Sequence, residues 1–338
     1  MSGINFEKLK KEVWDRDNCS GCGACVAVCP ADAIVFLDND KSHPVNTGYC
    51  KDLNDNVPCG ACYSVCPRTD SANIKGSMMG DFLEIKAAKS AYEVSGKQSG
   101  GAVTAILSNA LDKGFIDAVV TVSEDKWNHK PKSVVITSKE AMIYSAGSRY
   151  NWWIPTLFAL KEAVFKKKYA NIAVIGTPCA VSALRLMKES DNDLLKPFGK
   201  SIRLIFGLFC TETFDYESLV EGKLKNEFGI EAWEIERLDV KGRLEVTLTD
   251  GTKNDISLKD LEGCIRKGCL SCTDLTAVDS DISAGAIGSP EGYTTIVVRT
   301  EEGKGFLTSA VNSGNLVLSD DVDLGPIERL AEKKAKRG

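Results

Sequence analysis

The spacing of the cysteines is the feature that most constrains what this chain can fold into. Eight of its 13 cysteines lie between residues 19 and 66, in two runs. The first run extends from Cys19 to Pro30 with the pattern C-x2-C-x2-C-x3-C-P, which is typical of ligands to cubane iron–sulfur clusters. The second run keeps the same ending at Pro67, but its first cysteine, Cys50, is displaced upstream. Because thiolates are soft ligands that suit such clusters, the sequence predicts two 4Fe–4S clusters.

The two runs resemble those of two-cluster bacterial ferredoxins, in which the fourth cysteine of a run binds the other cluster. We therefore predict two ligand sets, one of Cys19, Cys22, Cys25 and Cys66, and one of Cys29, Cys50, Cys59 and Cys62. The alternative is a pair of structural zinc sites. Zinc sites rarely use four cysteines this tightly spaced and followed by proline.

Composition narrows the remaining possibilities. The chain of 338 residues has a net charge of −5 and 43% hydrophobic residues, as expected of a globular protein whose main partner is not nucleic acid. No apolar run approaches the roughly 20 residues of a membrane span, and the N-terminus has no apolar signal core. We expect a cytoplasmic protein, where reduced cysteines favour metal binding over disulfides. The scarcity of histidine, with only His43 and His129, argues against histidine-rich zinc or copper sites and against chemistry that relies on a histidine base.

The chain divides near residues 76–81. Residues 1–80 are rich in turns and are predicted to form the ferredoxin-like two-cluster domain, and residues 81–338 an α/β (α+β) domain. In the second part we predict strands at 118–122, 133–137, 172–176, 203–209 and 295–299, and helices at 100–114, 155–168 and 216–229. A hairpin is predicted at 244–256 with its turn at Asp250 and Gly251, and a frayed, solvated helix at 328–338.

Six short motifs follow one another in the second part, at 98–104, 146–150, 176–180, 207–210, 264–274 and 281–288. In this order they resemble the family of beta subunits of coenzyme F420 hydrogenases and dehydrogenases, over roughly residues 85 to 330. With the N-terminal module, the chain is most similar to the electron-input subunits of F420H2 dehydrogenases. The resemblance implies a flavin-binding fold in which FAD accepts a hydride from the substrate, reduced coenzyme F420. Single electrons then pass through iron–sulfur clusters to a partner subunit of a membrane-bound respiratory complex, or to ferredoxin.

The resemblance also implies the residues that bind the flavin. They are Ser99, Gly100, Gly101 and Thr104 at a helix entry, Gly147, Ser148, Arg149 and Tyr150, then Thr177, Pro178 and Cys179, and finally Asp281, Ser283, Gly285 and Gly288. No acid or base is implied, because flavin-mediated hydride transfer needs none. Without the family, these motifs are also compatible with ordinary glycine turns, a surface salt bridge at Arg149 and a buried structural thiol. The chain departs from the family at Arg149, often lysine, and at Ala180, usually glutamine.

A third cluster is implied by Cys264, Cys269 and Cys272, with Cys210 preferred to Cys179 as the fourth ligand. The C-x4-C-x2-C spacing alone also fits a plant-type 2Fe–2S site, and a zinc site is a further alternative. The family implies a 4Fe–4S cluster beside the flavin, which gives three such clusters in all. Coenzyme F420 carries a phosphate and an acidic tail, for which Lys86, Lys89 and Arg149 are candidates. We assign the tryptophan pair at 152–153 to the core.

Other functions are compatible with the same residues and cofactors. Electrons flowing in reverse would make the chain an F420-reducing beta subunit of a formate dehydrogenase or hydrogenase. Loss of the flavin would leave an electron-relay subunit, and a changed substrate site would leave a flavin enzyme of the same fold.

Overall fold

The computed structural model describes residues 3–38, 40–72 and 78–337. The first two residues of the predicted transition at 76–81 therefore lie outside the described residues. The chain forms a mixed α/β structure with a cysteine-rich N-terminal part, a central sheet of eight strands and a smaller three-stranded sheet.

The N-terminal part consists of short helices around the cysteines. Its elements are α1 (Phe6–Leu9), continued by a π-helical turn at Lys10–Trp14, α2 (Ala24–Val28), the pair β1 (Ile34–Val35) and β2 (Val45–Asn46), α3 (Lys51–Asn54) and α4 (Ala61–Ser64). Both α2 and α4 follow a glycine in the left-handed region, Gly23 at φ 81° and Gly60 at φ 64°, where other residues are strained. Leu9, Trp14, Ile34 and Tyr63 form the local core with several cysteines.

The middle of the chain supplies most of the central sheet. Its elements are β3 (Glu84–Ser90), α5 (Ala102–Asp112), β4 (Ala118–Glu124), β5 (Pro131–Ile136), α6 (Lys139–Tyr144), β6 (Asn151–Trp152), β7 (Ile172–Gly176), α7 (Pro178–Glu189), α8 (Lys196–Ser201) and β8 (Ile202–Leu208), with a π-helical turn at Glu162–Lys166.

The last third forms the small sheet and returns to the central one. Its elements are β9 (Phe214–Asp215), a π-type helix (Glu217–Glu227), a 3-10 turn (Ala232–Glu234), β10 (Ile235–Val240), β11 (Arg243–Leu248), β12 (Lys253–Ser257), 3-10 turns at Leu258–Cys264 and Lys267–Cys269, β13 (Ile282–Gly285), β14 (Thr294–Val298), α9 (Glu301–Asn312), β15 (Leu316–Ser319) and α10 (Leu324–Ala335).

The order of the central sheet is β15-β3-β14-β13-β8-β7-β4-β5. Strands β4, β7, β8 and β13 are parallel, and β3 runs the same way because it is antiparallel to β14, which is antiparallel to β13. One core lies between the sheet and α5 and α9, and the other includes α7, α8 and the inner faces of α2 and α4. The carboxyl ends of five strands therefore meet at one edge, the usual ligand position in such sheets.

The strands, the hairpin and two of the three long helices predicted from the sequence are confirmed. The helix predicted at 155–168 is wrong in its first half, which packs against the N-terminal part. There Leu157 donates to the Cys22 carbonyl at 3.1 Å, and Pro155 contacts Gly23. The C-terminal helix is not simply solvated, because Ile327, Ala331 and Lys334 are buried on one of its faces. Within the described residues, we find no helix long and apolar enough to cross a membrane.

Candidate functional site

The first cysteine set surrounds a cavity. Cys19, Cys22, Cys25 and Cys66 line this cavity, together with Arg68. The loop between them winds around this space because two glycines take left-handed backbone angles, with φ of 75° and 81°. The loop is also pressed against the larger domain, since a Cβ on the second of these glycines would lie 2.2 Å from Pro155 Cβ.

The second cysteine set surrounds another cavity, lined by Cys29, Cys50, Cys59 and Cys62. Even the displaced Cys50 belongs to it, and its N–H donates to Asn54 Oδ1 at 2.7 Å. The two cavities divide the eight N-terminal cysteines as the sequence predicts, with the last cysteine of each run at the other run's cavity.

Electrostatics supports this division. Burial, followed by the like charge of other cysteines of its set, raises the pKa of Cys25 well above that of an ordinary thiol. Burial and the three other cysteines of the second set raise the pKa of Cys62 to about 12. Such thiols stay protonated at neutral pH unless a metal takes the proton's place, so metal binding here would release protons.

The donor sets suit a cluster better than a single ion. Among the described residues, no three or more His, Cys, Asp or Glu side chains converge closely enough to hold one metal ion. A zinc ion would require sulfurs about 2.3 Å from a common point. All-cysteine sets that surround a cavity instead of a point fit a cubane, whose irons each take one thiolate.

A third set of cysteines lies at the carboxyl edge of the central sheet. Burial raises the pKa of Cys210 to about 12; the Lys334 ammonium opposes the rise, and the thiolates of Cys269, Cys179 and Cys272 add to it. Cys179 stands in the first turn of α7, Cys210 follows β8, and the other two lie in or just after the last 3-10 turn. Three distant segments therefore bring four cysteines together, as a further four-thiolate site requires.

The predicted membership of this third set needs one correction, because Cys264 is not near it. Cys264 lies in the core of the small sheet, where its Sγ is 3.5 Å from the Ser218 carbonyl oxygen. Its charged neighbours are Lys223, Glu227 and Asp215, and none of the other cysteines is among them. Cys179, predicted to line the flavin, is instead among the charged neighbours of Cys210 and Cys269.

The third set is packed directly against the first. Gly268 is in contact with the loop that begins at Cys19, and a Cβ on it would lie 2.2 Å from the Cys19 carbonyl oxygen. Arg68 donates to the carbonyls of Gly268 and Ser271, both at 3.2 Å. Ser271 Oγ donates in turn to Asn18 Oδ1 at 2.6 Å. No mobile linker separates the two sites at this junction.

Three cations near these sites were missed from the sequence. Arg68 and Arg266 both lie beside cysteine motifs, which was the available signal. Lys334 is 2% exposed and donates to the carbonyls of Cys210 and Asp274. Its position on the buried face of α10, with Ile327, was recoverable from helical periodicity.

The predicted flavin residues of the first glycine motif lie at the carboxyl edge. Ser99 Oγ is 2.8 Å from Thr294 Oγ1, which also accepts from the Gly100 N–H at 3.0 Å. A Cβ on Gly100 would lie 2.3 Å from the Ala88 carbonyl oxygen, so strand packing already requires that glycine. Gly101 precedes α5 without a side-chain cap, which leaves the first helical N–H groups directed at the edge. Thr104 is buried in the first turn of α5.

The predicted motif at 146–150 is joined to the first. Gln98 donates to Tyr150 Oη and accepts from Ser148 Oγ. Arg149 is held internally, because its Nη1 donates to the carbonyls of Ser145 and Gly147 and its Nε is 3.7 Å from Glu124 Oε1.

Thr177 and Pro178 begin α7, also without a side-chain cap. Two uncapped helix starts therefore lie at the same edge, and backbone N–H groups with the helix dipole are a suitable environment for a diphosphate.

Two predicted flavin residues are structural. Asp281 is 2% exposed, pairs with Arg185 at 3.0 Å and accepts from the Ile205 N–H at 2.8 Å. It precedes β13 and thus lies at the opposite edge of the sheet. Ser283 is fully buried within β13. The structure gives both residues packing partners away from the carboxyl edge, because the motif begins one strand length before that edge, and their contact with a flavin stays a prediction.

Gly285 and Gly288 are nearer the edge, but each is in close packing. A Cβ on Gly285 would lie 2.1 Å from Phe209, and one on Gly288 would lie 2.5 Å from Ile327.

The predicted F420-binding lysines occupy β3. Lys86 is paired with Asp320, whereas Lys89 Nζ lies 4.8 Å from the ring centroid of Tyr293. Because the two are three residues apart on a strand, they face opposite sides of the sheet. At most one of these two candidates therefore faces a given ligand. Of the two tryptophans assigned to the core, Trp152 is buried and donates to the Gly21 carbonyl, and Trp153 is partly buried.

Comparison with protein families gives three matches along the chain. Residues 12–35 match the 4Fe-4S binding domain. Residues 85–161 match the N-terminal part, and residues 169–323 the C-terminal part, of the beta subunit of coenzyme F420 hydrogenase/dehydrogenase.

Comparison with individual proteins supports the same family. The chain is 31% identical to a subunit of the F(420)H(2) dehydrogenase of Methanosarcina mazei, over 96% of this chain and 91% of that protein. It is 33% identical to the coenzyme F420-dependent sulfite reductase of Methanocaldococcus jannaschii, covering 98% of this chain but only 51% of that longer protein. Among solved structures, a chain of the F420-reducing [NiFe] hydrogenase complex from Methanosarcina barkeri superposes with a TM-score of 0.73 at 27% identity, over 78% of this chain and 92% of that one.

Proposed function

The chain belongs to the family of beta subunits of coenzyme F420 hydrogenase/dehydrogenase and carries an N-terminal 4Fe-4S binding domain, and we propose that it oxidises reduced coenzyme F420. In this proposal a bound FAD would supply the hydride acceptor, and the three cysteine sets would hold 4Fe–4S clusters that carry single electrons to a partner. The observation that carries the proposal is the contact between the third cysteine set, at the carboxyl edge, and the first set.

A bound flavin would supply the exchange between a two-electron hydride donor and one-electron clusters. The chain's part is to bind and orient. The uncapped starts of α5 and α7 suit the diphosphate of FAD, and the hydrogen bonds of Gln98 with Tyr150 and Ser148 hold two of the edge loops together.

The chain needs no proton donor for hydride transfer, and its histidines are engaged elsewhere. His129 is buried and its Nε2 lies 2.7 Å from the Ile235 carbonyl oxygen, while His43 is stacked on Trp14. This supports a role in positioning over one in acid–base catalysis.

The proposed path runs from the third set to the first and then to the second. The third set begins the path because it lies at the same edge as the predicted flavin loops. The second cavity is lined in part by Tyr49, which is 39% exposed, and this suits an exit to a partner. That partner would be a subunit of a respiratory complex or a ferredoxin.

A specific observation favours the reverse direction as a second candidate. The structural relative belongs to an F420-reducing hydrogenase complex, so the chain would then accept electrons through its clusters and reduce F420. The same residues serve both directions, and the reduction potentials of the centres decide between them.

The test is a spectroscopic and kinetic assay of the anaerobically purified chain. We expect flavin absorbance, about twelve irons per chain, and reduction of a viologen dye by F420H2 but not by NADH. A flavin-free protein that is inert to F420H2 would contradict the proposal and leave an electron-relay subunit. Activity with NADH alone would instead indicate a flavin enzyme with another substrate.

A further inference from the structure

Two arginines lie in the junction between the first and third cysteine sets. Arg68 lines the first cavity and donates to the carbonyls of Gly268 and Ser271, which flank Cys269. Arg266 lies two residues before Gly268, and a Cβ on Gly21, inside the first cysteine loop, would be 2.9 Å from Arg266 Nη2. Both guanidinium groups are therefore within the contact that joins the two sets.

Arg266 is buried more deeply than its protein partners explain. It is 5% exposed, its guanidinium lies 3.7 Å from the ring centroid of Trp152, and it donates to the carbonyls of Lys41 and Ser42 at 3.2 and 3.0 Å. Its Nε has no hydrogen-bond partner among the described residues, and its ion pair with Asp215 is long, at 4.0 Å. Burial of a charge without a close counter-charge costs several kcal/mol, so a further anion is expected beside it.

The thiolates of the neighbouring cysteine sets would supply that anion once iron has displaced their protons. Arg68 lies two residues after Cys66 of the first set and donates to the carbonyls on either side of Cys269 of the third. Arg266 lies beside Gly21 of the first cysteine loop and three residues before Cys269. The two arginines thus contact both sets, whereas the second cavity is lined by Lys51 and by no arginine.

We propose that Arg68 and Arg266 form a cationic bridge that stabilises the reduced state of the clusters at the first and third cysteine sets. The inference rests on the iron–sulfur part of the proposed function. Each cluster gains one electron on reduction, and no bond is formed or broken. Because the added negative charge is stabilised by fixed positive charge and by N–H donors nearby, the reduction potentials of these two clusters are raised.

The test is a potentiometric titration of the holo chain with dithionite, followed by electron paramagnetic resonance, which requires neither F420 nor flavin. In Arg266→Gln we expect the ratio of reduced to oxidised cluster at a fixed potential to fall about tenfold at two of the three centres. A tenfold fall corresponds to a shift of about 59 mV for a one-electron couple. The cluster at the second cysteine set is expected to keep its reduction potential.

Two further variants separate charge from structure. Arg266→Lys retains the positive charge and is expected to shift the same centres less than Arg266→Gln does. Arg68→Gln alters a partly exposed residue and is expected to lower the same two potentials. As a matched control, Arg237→Gln removes an arginine from β10, where its side chain is 48% exposed and paired with Asp239, and leaves all potentials unchanged.

Iron content identifies which idea fails. Variants with wild-type iron and unchanged potentials would overturn the cationic bridge. Loss of iron from both Arg266→Gln and Arg68→Gln would overturn it as well, because the arginines would then hold the fold instead of setting potentials. A wild-type chain that binds no iron would overturn the proposed function itself.

Discussion

The eight N-terminal cysteines and the third set form sites of the same donor type in opposite ways. The N-terminal sets come from one short stretch, in which glycines and small residues let the chain wind around each cavity. The third set combines Cys179, Cys210, Cys269 and Cys272 from three segments that meet only in the folded sheet. Local spacing is therefore a reliable guide to the first kind of site and a misleading one for the second.

The largest effect that tests this comparison is the loss of the third site. Cys269→Ser removes one of its thiolates, so we expect iron to fall from about twelve to about eight per chain and electron transfer to the dye to be lost. Flavin is expected to remain bound. Cys264→Ser is the matched control, because that thiol lies in the core of the small sheet, and it is expected to keep all the iron. Iron analysis and flavin absorbance of the two variants measure these outcomes.

The comparison would break if Cys264→Ser lost four irons as Cys269→Ser does. Cys179→Ser tests the comparison further, because we expect it to lose iron and electron transfer as Cys269→Ser does. Full iron content together with lost flavin in that variant would return Cys179 to its predicted place beside the flavin.

The next effect concerns the motif that contains Asp281. Because Asp281 is buried and pairs with Arg185 and the Ile205 N–H, Asp281→Ala leaves the partly buried Arg185 without its carboxylate and the buried N–H without an acceptor. We expect the free energy of unfolding to fall by about 3–5 kcal/mol. Denaturant unfolding followed by circular dichroism measures it, and flavin per folded chain is expected to stay constant. Unchanged stability with weaker flavin binding would restore the predicted cofactor role.

A smaller effect is expected at Lys334, which binds two carbonyls beside the third set. Lys334→Met leaves both carbonyls without their donor, so the free energy of unfolding is expected to fall by about 1–3 kcal/mol. The neighbouring Lys333 is exposed, and Lys333→Met is the matched control with little change expected. Equal effects of the two substitutions would show that Lys334 adds nothing to the third site.

The smallest effect is the pH dependence of the stability of the iron-depleted chain. The N-terminal cysteine sets and the third set are expected to respond to pH in the same way. Burial raises the pKa of Cys62 and of Cys210 from 9.0 to about 12. Because the folded state holds the thiol proton more tightly than the unfolded state does, this contribution to the stability of the fold is fully present below pH 9. It is lost as the pH rises from 9 towards 12. We expect each thiol to lower the free energy of unfolding by about 1.4 kcal/mol per pH unit in that window.

Urea unfolding between pH 8 and 10.5 measures this slope. Cys210→Ala is expected to reduce it relative to the wild type, and iron reconstitution is expected to remove the thiol contribution, because bound thiolates no longer take up protons. A slope that is the same in the wild type and in Cys210→Ala would contradict the prediction for the third set.

Sequence was sufficient where the information is local. The strands at 118–122 and 172–176, the hairpin turn at Gly251 and the division of the N-terminal cysteines all follow from short-range patterns. Sequence reasoning failed where long-range packing determines the position or the partner of a side chain. Cys264 and Cys269 are close in sequence, but Ile265 pairs with Phe214, so Cys264 points to the small sheet. Likewise, nothing near Asp281 indicated that Arg185, almost a hundred residues earlier, would pair with it.

Gly268 leaves no room for even a methyl group between the two cysteine loops, since a Cβ would lie 2.2 Å from the Cys19 carbonyl oxygen. Lys267 and Asp17 join the same loops by an ion pair at 2.8 Å. The N-terminal region is thus fixed to its neighbour and does not swing on a tether as a shuttling carrier does. Under the proposed function, electrons would cross this junction at a fixed separation, and we expect the crossing rate to be indifferent to the viscosity of the solvent.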